Sequence, residues 1–533
     1  MATEVDYVVI GAGSAGCVVA TRLTETGARV VLLEAGPKDR HPMIHIPAGI
    51  RSLINNPAVN WNYSSEPEEG TNQRRIHWPR GRVLGGSSSI NGMLYVRGNP
   101  ADFDTWSQMG CRGWSYEEVL PYFKKSERFD GGTDEFRGRE GVLRVENYRT
   151  ILPTTHSFVQ AAQQAGFAFS DDLNGAQPEG VGYSQMTRRG RLRASTARTF
   201  LLSTAGRKNL SVRSNCIATG LIIEAGKCVG VRFNENGNPQ ELRVSGEVVV
   251  SGGAVNSPHI LQISGIGPAK HLQDLGITPV HDSPGVGANL QDHYVVRVVQ
   301  RLKRGQQTIN SLSRPPRVLF EAMRWLVQGK GALTFGVTSA QVFCRSREGL
   351  ASPDLQLLFT PASYDQGKLG VFEKQPGASI AVCPVRPQSR GSIMAGSADP
   401  LARPVIRPGY LSAEDDYRVL AAGTALARKI FAAPAFQAIS EGEILPGAGK
   451  TSPEDMRKFA RTHGATIYHP IGTCKMGEDP MAVVDSRLRV HGIEGLRVID
   501  ASVMPVLTTG NTNAPTIMIG EKGAQMIIED ARA

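Results

Sequence analysis

Three glycines near the start of the chain have the spacing of a phosphate-binding turn. Gly11, Gly13 and Gly16 complete the pattern G-x-G-x-x-G directly after the apolar run 7–10. In such a turn the first glycine permits the bend, the second lets a pyrophosphate approach the backbone, and the third allows close packing of helix on strand. The unpaired N–H groups at the start of the following helix then face the phosphates. The spacing therefore predicts a site for the pyrophosphate of a dinucleotide.

A glutamate stands where a dinucleotide-binding unit holds a ribose. Glu34 ends a second apolar run, 30–33, and lies 18 positions after Gly16 (34 minus 16). A carboxylate at this place accepts hydrogen bonds from two ribose hydroxyls and repels the additional phosphate of NADP. Strand, turn, helix and second strand together predict a βαβ unit that binds a dinucleotide.

Two other glycine-rich stretches lie further along the chain. Residues 81–98 contain the run Gly85-Gly86-Ser87-Ser88-Ser89 ahead of an apolar segment. That run is typical either of a loop whose N–H groups face a cofactor or of a serine-rich helix cap. Residues 247–267 repeat the order of strand, glycine turn and helix, which predicts that the sheet of the first domain resumes there.

The rest of the chain alternates between helical and strand-like patterns. Helices are expected at 102–109, 116–126, 316–327 and 517–530. Strands are expected at 210–213, 218–224, 228–234, 247–251, 354–359, 379–385 and 496–499.

Length and composition predict a globular protein of two or three domains. The chain has 533 residues, of which 41% are hydrophobic and 20% charged, and this composition argues against a disordered chain. The formal charge of +10 comes from scattered basic residues, and no motif for nucleic-acid binding accompanies it.

Cysteine usage and apolar runs indicate the compartment. The seven cysteines include no C-x-x-C pair, which predicts free thiols in a reducing environment. No apolar stretch reaches the ~18 residues of a membrane span, and the first strand begins too close to Met1 for a signal peptide. No Cys, His and acidic residues have the spacing of a metal site. These patterns predict a cytoplasmic protein without a bound metal.

Five stretches taken together resemble the glucose–methanol–choline (GMC) oxidoreductases, which are FAD enzymes. They are the N-terminal turn, residues 81–98, residues 253–267, and the segments around His469 and Asn511. The resemblance covers essentially the whole chain and is strongest to the bacterial branch of choline, alkanol and sorbose dehydrogenases. It implies an α/β, Rossmann-like FAD-binding domain and an α+β substrate domain with an antiparallel sheet. The expected boundaries are 1–145, 196–292 and 462–533 for the FAD domain, and 146–195 and 293–461 for the substrate domain.

The resemblance also implies a set of residues that bind FAD without a covalent link. Ile90 stands where some members attach FAD through a histidine, and its side chain offers no nucleophile. The cofactor-binding residues carried over by position are Gly11, Gly13, Ser14, Ala15, Gly16, Glu34, Ala35, Arg82, Gly85, Gly86, Ser87, Asn91, Gly92, Ile217, Asp500, Ala501, Asn513 and Thr516.

The catalytic pair of the family falls on His469 and Asn511. Oxidising an alcohol requires a base for the hydroxyl proton and a donor for the developing alkoxide, while FAD accepts the hydride. Imidazole is the natural base at neutral pH, and an amide N–H is a suitable donor. The assignment of Asn511 rests on its spacing to Lys522, and a shift of the motif would place the role on Asn513.

A second departure from the family pattern and three other histidines complete the predictions from the resemblance. In the choline and alkanol relatives the stretch after Gly331 carries a glutamate, and Ser339 stands at that position here. This difference argues against a cationic substrate such as choline. Three other histidines, His259, His293 and His463, are expected to be structural.

The sequence leaves three functions open. The first is an FAD-dependent alcohol dehydrogenase or oxidase, with a quinone, a redox protein or O₂ as electron acceptor. The second is a hydroxynitrile-lyase-type enzyme with an idle flavin, and the third is a flavin-bearing binding protein. The amphipathic helix at 316–327, which contains Trp325 and two arginines, favours packing on the substrate domain. The same pattern also suits a peripheral contact with the inner membrane.

Overall fold

The chain begins with the predicted βαβ unit in the computed structural model, which describes residues 5–365 and 370–532. The strands Val5–Ile10 and Val30–Glu34 pair in parallel, and the helix Ser14–Glu25 connects them. The positive φ of Gly11, +103°, directs the chain out of the first strand, because L side chains rarely adopt that conformation.

Helices are numbered in chain order within the described ranges. They are α1 (Ser14–Glu25), α2 (Pro42–His45), α3 (Ile50–Leu53), α4 (Pro100–Gln108), α5 (Tyr116–Ser126), α6 (Pro153–Gln164), α7 (Gly253–Ile263), α8 (Ala269–Asp274), α9 (Ile309–Leu312), α10 (Arg317–Gln328), α11 (Glu414–Ala432), α12 (Pro434–Gln437), α13 (Pro453–His463) and α14 (Asn513–Asp530).

Strands are numbered in the same way. They are β1 (Val5–Ile10), β2 (Val30–Glu34), β3 (Tyr63–Ser64), β4 (His77–Trp78), β5 (Glu127–Arg128), β6 (Leu143–Asn147), β7 (Gly180–Tyr183), β8 (Gln185–Arg189), β9 (Leu192–Arg193), β10 (Leu210–Ser214), β11 (Cys216–Glu224), β12 (Lys227–Glu235), β13 (Asn238–Val250), β14 (Ile266–Gly267), β15 (His281–Asp282), β16 (Tyr294–Leu302), β17 (Ala340–Cys344), β18 (Leu355–Thr360), β19 (Gly377–Pro384), β20 (Ser392–Met394), β21 (Val405–Arg407), β22 (Ser440–Leu445), β23 (Ala465–Thr466) and β24 (Leu496–Val498).

The first sheet is the Rossmann-type sheet, with parallel strands in the order β10, β2, β1, β13 and β24. The strand β2 is an apolar run that is buried at every position, because both faces of the sheet are covered there, whereas the edge strand β10 is partly exposed. The helix α14 packs against α1. The carboxyl ends of β1, β2 and β13 meet at one edge, where a parallel sheet of this kind binds its ligand.

The strand β13 is longer than the sequence predicts. It begins at Asn238 rather than at 247, and its first part pairs antiparallel with β12 to form a ribbon with β11. Residues 238–241 are exposed, so they show no alternation of apolar and polar side chains. The physical signal on which the prediction depended is therefore absent from that half of the strand.

The second sheet is antiparallel, as expected, with strands in the order β22, β16, β19, β18, β17 and β7. The strands β18 and β19 are buried at every position. One face packs on α6 and α11. The opposite face carries Leu358 and Ala381 and looks toward the carboxyl edge of the first sheet.

The closing helix starts earlier than predicted. α14 begins at Asn513 instead of 517, although Pro515 lies in its first turn. Proline is tolerated there because the first N–H groups of a helix have no partner within the helix. The predicted helices at 116–126 and 316–327 are confirmed as α5 and α10. No helix within residues 5–365 and 370–532 is long and apolar enough to cross a bilayer.

The domain boundaries stay a prediction, and their terminal residues 1–4 and 533 lie outside the described part. Strands of the first sheet come from three separated parts of the chain, namely 5–34, 210–250 and 496–498. β23, which falls in the segment expected for the FAD domain, pairs with β16 of the second sheet. The two sheets are therefore joined closely where the chain passes His469.

Candidate active site

A cavity of about 1440 Å³ lies between the glycine-rich edge of the first sheet and the open face of the second sheet. Both members of the predicted catalytic pair, His469 and Asn511, line it. The predicted cofactor residues that line it are Gly11, Gly13, Ser14, Ala15, Glu34, Ala35, Arg82, Gly86, Ser87, Asn91, Gly92, Ile217, Asp500, Ala501, Asn513 and Thr516.

Gly16 and Gly85 are the two members of the predicted set that do not line the cavity. A Cβ on Gly16 would lie 1.9 Å from the Gly11 carbonyl oxygen, so this glycine permits helix and strand to pack. Gly85 has φ of +87°, and its N–H donates to the Ala12 carbonyl at 2.8 Å. Both residues allow close backbone contacts, and residues next to them line the cavity.

The two glycine turns form a narrow cradle. A Cβ on Gly86 would lie 2.7 Å from the Cα of Gly13, so the second turn touches the first. A Cβ on Gly13 would meet only the Ser251 carbonyl oxygen, at 4.0 Å, because that side faces the open cavity. Gly86 begins a short 3₁₀ helix, Gly86–Ser89, without a side-chain cap. Of the two interpretations of this run, the geometry favours the loop that faces a cofactor.

Glu34 lies buried on the cavity wall at the end of β2. Its two carboxylate oxygens accept the N–H groups of Ala12 and Gly36 at 3.0 and 2.9 Å. Each oxygen retains a further lone pair that a ribose hydroxyl could use. Burial raises the pKa of Glu34 to about 7, and additional donors on the carboxylate would lower it. The residue therefore fits the ribose of a dinucleotide.

Arg82 supplies an unpaired cation next to the cradle. Its guanidinium lies 5.0 Å from the centre of the Trp61 ring, and its Nε is buried without a partner in the described part of the chain. Buried donors are normally hydrogen-bonded to an acceptor. A phosphate oxygen of a dinucleotide would be a suitable acceptor for Arg82 Nε.

Asp500 lines the cavity, and its carboxylate accepts hydrogen bonds from neighbouring residues of the protein. The carboxylate accepts the Gly253 N–H at 2.8 Å, the Ser257 hydroxyl at 2.5 Å and the Ser502 N–H at 2.8 Å. The side chain orders the glycine turn before α7. The expected contact of Asp500 with a flavin stays a prediction, and the residue lines the cavity.

The loop that carries His469 is fixed from several sides. Asp292 accepts the N–H of His469 at 2.7 Å and the Thr466 hydroxyl at 2.5 Å. Arg80 donates to the carbonyl of Tyr468 at 2.7 Å, and Tyr468 has φ of +72°. These contacts turn the chain sharply just before His469 and direct its imidazole into the cavity, in agreement with the turn that Pro470 predicts.

Three polar side chains form one hydrogen-bonded row that ends in the cavity. His293 Nε2 lies 3.2 Å from the Val385 carbonyl oxygen, and its Nδ1 lies 2.9 Å from Nδ1 of His469. His469 Nε2 lies 3.1 Å from Nδ2 of Asn511. A carbonyl oxygen only accepts, so His293 carries its proton on Nε2 and accepts at Nδ1. His469 must therefore carry its proton on Nδ1, which assigns the lone pair to Nε2.

The expectation that His293 is structural needs correction. This wholly buried side chain contacts the candidate base directly and determines which nitrogen of His469 is protonated. His259 and His463, also expected to be structural, line the cavity as well. Burial lowers the pKa of His259 to about 4, so it is neutral near pH 7.

Burial also keeps the row of histidines neutral. It lowers the pKa of His469 well below the ordinary 6.5, and the neighbouring His293 and Arg80 act in the same direction. Burial lowers the pKa of His293 to about 4. A neutral His469, whose Nε2 lone pair accepts the Asn511 N–H in this structure, is the form that can accept a proton.

The choice between Asn511 and Asn513 follows from their contacts. Asn511 lies beside His469, and its Oδ1 is buried without a partner among the described residues. Asn513 accepts the Ser14 hydroxyl at 2.8 Å and so joins α14 to the phosphate turn. Asn511 is therefore the amide next to the base, as the spacing to Lys522 predicts.

Ser339, which the resemblance aligns with a glutamate of the choline relatives, does not line the cavity. Its Oγ is 2.9 Å from the Thr155 Oγ1, and it is not among the residues that line the cavity. The absence of a glutamate at this position therefore gives no direct information on the charge of the substrate. That information has to come from side chains that reach the cavity.

Sequence reasoning missed Asp292, His293 and the pair Tyr63 and Asn256. The Tyr63 hydroxyl donates to Asn256 Oδ1 at 2.6 Å on the cavity wall. Asp292 and His293 directly precede the buried strand β16, and polar residues at the end of a buried strand are a signal that could have found them.

The fold and the site define a class of protein. A Rossmann-type sheet with a pyrophosphate cradle shares one cavity with a buried histidine and an amide, which is the arrangement of a dinucleotide-dependent oxidoreductase. The chain belongs to the GMC oxidoreductase family, since models described as "GMC oxidoreductase" match residues 5–295 and 387–520. It is thus an FAD-dependent oxidoreductase that acts on CH–OH donors.

Individual relatives agree with this assignment. The chain is 42% identical to "Alcohol dehydrogenase [acceptor]" of Pseudomonas putida, over 98% of this chain and 95% of the relative. It is also 42% identical to the mitochondrial choline dehydrogenase of Homo sapiens, over 98% and 90%. Among solved structures, pyridoxine 4-oxidase from Mesorbium loti matches with a TM-score of 0.90 and 29% identity, over 98% of this chain and 99% of that one. A formate oxidase variant of Aspergillus oryzae matches with a TM-score of 0.92 and 26% identity, over 100% and 99%.

Proposed function

We propose that the protein oxidises an alcohol to the aldehyde or ketone, with His469 as the base and Asn511 as its partner. The observation that carries the proposal is the hydrogen-bonded row from the Val385 carbonyl through His293 to His469. This row leaves the lone pair on His469 Nε2, beside the Asn511 amide in the cavity. An oxidase and a dehydrogenase share this half-reaction and differ in the electron acceptor that follows.

Each residue then has one task. FAD, when bound, supplies the hydride acceptor. His469 Nε2 takes the hydroxyl proton of the alcohol, and the Asn511 N–H donates to the oxygen on which negative charge develops. His293 accepts from Nδ1–H of His469 and holds the imidazole ring in place. The buried position of His469 strengthens both contacts, because the local dielectric constant is low there.

The test is the rate at which an alcohol bleaches the flavin without oxygen. His469→Ala is expected to retain FAD and to be reduced about 10²–10⁴-fold more slowly, which is the usual worth of a positioned acid–base group. Asn511→Ala should slow the reduction less and raise KM. His156→Ala is the control, since His156 is exposed and lies outside the cavity. A wild-type rate in the His469 variant would sink the proposal.

The same experiment separates oxidation from the lyase alternative. A hydroxynitrile lyase on this scaffold would cleave a cyanohydrin while its flavin stays oxidised. Loss of flavin absorbance on adding an alcohol anaerobically therefore supports oxidation, and an unchanged spectrum with cyanohydrin cleavage supports the lyase.

We also propose that FAD is held without a covalent bond. The side chain at the position used for covalent attachment in some relatives is Ile90, which is 6% exposed and packs with Ile44, Leu53 and Val83. A hydrocarbon side chain in an apolar cluster has no nucleophilic atom to form such a bond.

A second proposal concerns α10, which we propose to lie on a membrane surface. Packing on the substrate domain, which the sequence favours for this helix, does not bury its apolar side. Leu319, Phe320, Met323, Leu326 and Val327 are between 56% and 81% exposed. Isolated exposed apolar residues are common, but five on one helix form a patch that indicates an interaction surface.

The polar side of α10 faces the protein. Glu321 is 3% exposed, pairs with Arg324 at 2.9 Å and accepts the Ala332 N–H at 2.6 Å. The Trp325 indole donates to the Arg191 carbonyl at 3.0 Å, which fixes the helix in this orientation. Arg317 and Arg324 border the apolar face, so a bilayer with anionic lipids is the partner whose chemistry fits it.

A further inference from the structure

Arg297 is a cation on the cavity face of the second sheet. Side chains along β16 alternate between the two faces. Val296 belongs to the core shared with α11, whereas Val295 packs with Leu358 and Ala381 on the other face. Arg297 follows Val295 at the next position of that second face and lines the cavity with Leu358 and Ala381.

The guanidinium of Arg297 has no hydrogen-bond or ion-pair partner within the part of the chain that the structure describes. No hydrogen bond or ion pair joins it to any residue of 5–365 or 370–532. Arg301, four positions further along the strand, does have one, because it pairs with Glu373 at 3.2 Å. Half-buried cations normally find an acceptor within the protein. An arginine that faces a cavity without one indicates that a ligand supplies the acceptor.

Arg297 and the base share one end of the cavity. Burial raises the pKa of Tyr364 and of Tyr468, and the nearby charge of Arg297 opposes that rise in both. Tyr468 directly precedes His469. Arg297 also lies four positions after His293 on the same strand face, which is about 13 Å along the strand at 3.3 Å per residue.

Other charged side chains at this end do not neutralise Arg297. Arg51 lies with its guanidinium 5.0 Å from the Phe372 ring centre and adds a second positive charge. Glu321 is occupied by Arg324. Asp365 also lines the cavity, and it has an interaction of its own.

We propose that Arg297 binds a carboxylate at the far end of the substrate, so that hydroxy acids are the preferred alcohols. This inference rests on the proposed alcohol oxidation and adds the substrate class. The planar guanidinium matches both carboxylate oxygens with parallel N–H groups. Leu358 and Ala381 offer an apolar wall for the hydrocarbon chain between the hydroxyl at His469 and the carboxylate at Arg297. A cationic alcohol such as choline would be repelled at the same place.

The kinetic test compares the holoprotein with two variants on two alcohols. ω-Hydroxyhexanoate and hexanol differ only in the carboxylate, so the ratio of their kcat/KM values isolates the contribution of that group. In Arg297→Gln the ratio is expected to fall about 10- to 100-fold, the usual worth of a hydrogen bond to a charged group. The change should lie in KM, because the contact is the same before and during the reaction. Arg301→Gln, on the same strand face but outside the cavity, should keep the wild-type ratio.

Binding of hexanoate makes the result independent of turnover. Hexanoate has the carboxylate but no hydroxyl, and calorimetric titration should show about 10- to 100-fold weaker binding to Arg297→Gln than to Arg301→Gln. If no alcohol is oxidised while hexanoate binding still depends on Arg297, the proposed function fails and only the binding of a carboxylate at Arg297 stands. If both the kinetic ratio and the hexanoate affinity are unchanged in Arg297→Gln, the inference is overturned.

Discussion

At the scale of residues, the protonation state of His469 follows from its surroundings. Burial disfavours the imidazolium, and the neighbouring His293 and Arg80 disfavour it further, so the pKa of His469 lies well below the ordinary 6.5. The neutral form is the one that can act as the base we propose. A lowered pKa therefore means that the base is available above that pKa and is lost only as the pH falls through it.

The rate of flavin reduction should accordingly be insensitive to pH over the neutral range. At saturating alcohol we expect a level rate from about pH 8 down to the ordinary imidazole pKa of 6.5, and a decline only below it. Anaerobic stopped-flow absorbance measures this rate directly. The His469→Ala variant provides the comparison, because its residual rate should lack the acidic decline. A rate that already halves at the ordinary imidazole pKa would show that His469 is not shielded as the geometry indicates.

Local sequence predicts some of these residues and not others. Gly11, Gly13 and Glu34 belong to one βαβ unit, so their relative positions in the folded protein follow from their spacing along the chain. His293 and His469 are 176 positions apart, and their contact arises only where β16 and the loop after β23 meet. No periodicity in the sequence encodes that meeting. The resemblance to a family identified His469, but it gave no role to the histidine behind it.

At the scale of elements, α10 shows what periodicity does and does not determine. The sequence pattern predicts an amphipathic helix at 316–327, and the helix is Arg317–Gln328. The pattern reveals an apolar side but not what covers it. In the structure Glu321 and Trp325 make contacts with the rest of the protein, because each has a hydrogen-bond partner outside the helix. The apolar side is left outward.

Flotation with anionic liposomes at low salt tests the membrane contact of α10. The wild-type protein should rise with the vesicles, because its exposed apolar side chains enter the interface and its arginines face anionic headgroups. Phe320→Glu combined with Val327→Glu should leave the protein at the bottom of the gradient. Both side chains are exposed, 63% and 81%, so the double variant should fold normally.

The control for that experiment is a glutamate placed on an unrelated apolar residue. Val280 is 51% exposed and lies just before β15, far along the chain from α10. Val280→Glu adds the same kind of charge and should float like the wild type. If the wild type itself stays at the bottom, or if the double variant floats with the vesicles, α10 is not the membrane contact.

At the scale of the whole molecule, the cavity separates two large hydrophobic clusters. One cluster contains the first sheet with α1 and α14, and the other contains the second sheet with α6 and α11. The cavity of about 1440 Å³ between them is lined by residues from both sheets. A bound dinucleotide would contact both walls, so we expect FAD to stabilise the folded protein as a whole.

Release of FAD and its effect on thermal stability test this last expectation. Acid precipitation should leave yellow flavin in the supernatant, because Ile90 provides no atom for a covalent bond, and flavin on the washed pellet would contradict that.

FAD binds the folded state, so at a hundredfold excess over Kd it should add about 2.7 kcal/mol to the free energy of unfolding and raise Tm of the flavin-free protein. Gly13→Val is the matched variant. Gly13 has φ of −84° and open space beside it, so valine is tolerated while its side chain occupies the place of the pyrophosphate. This variant should fold but show no increase in Tm with FAD. An increase equal to that of the wild type would show that the glycine cradle does not bind the pyrophosphate.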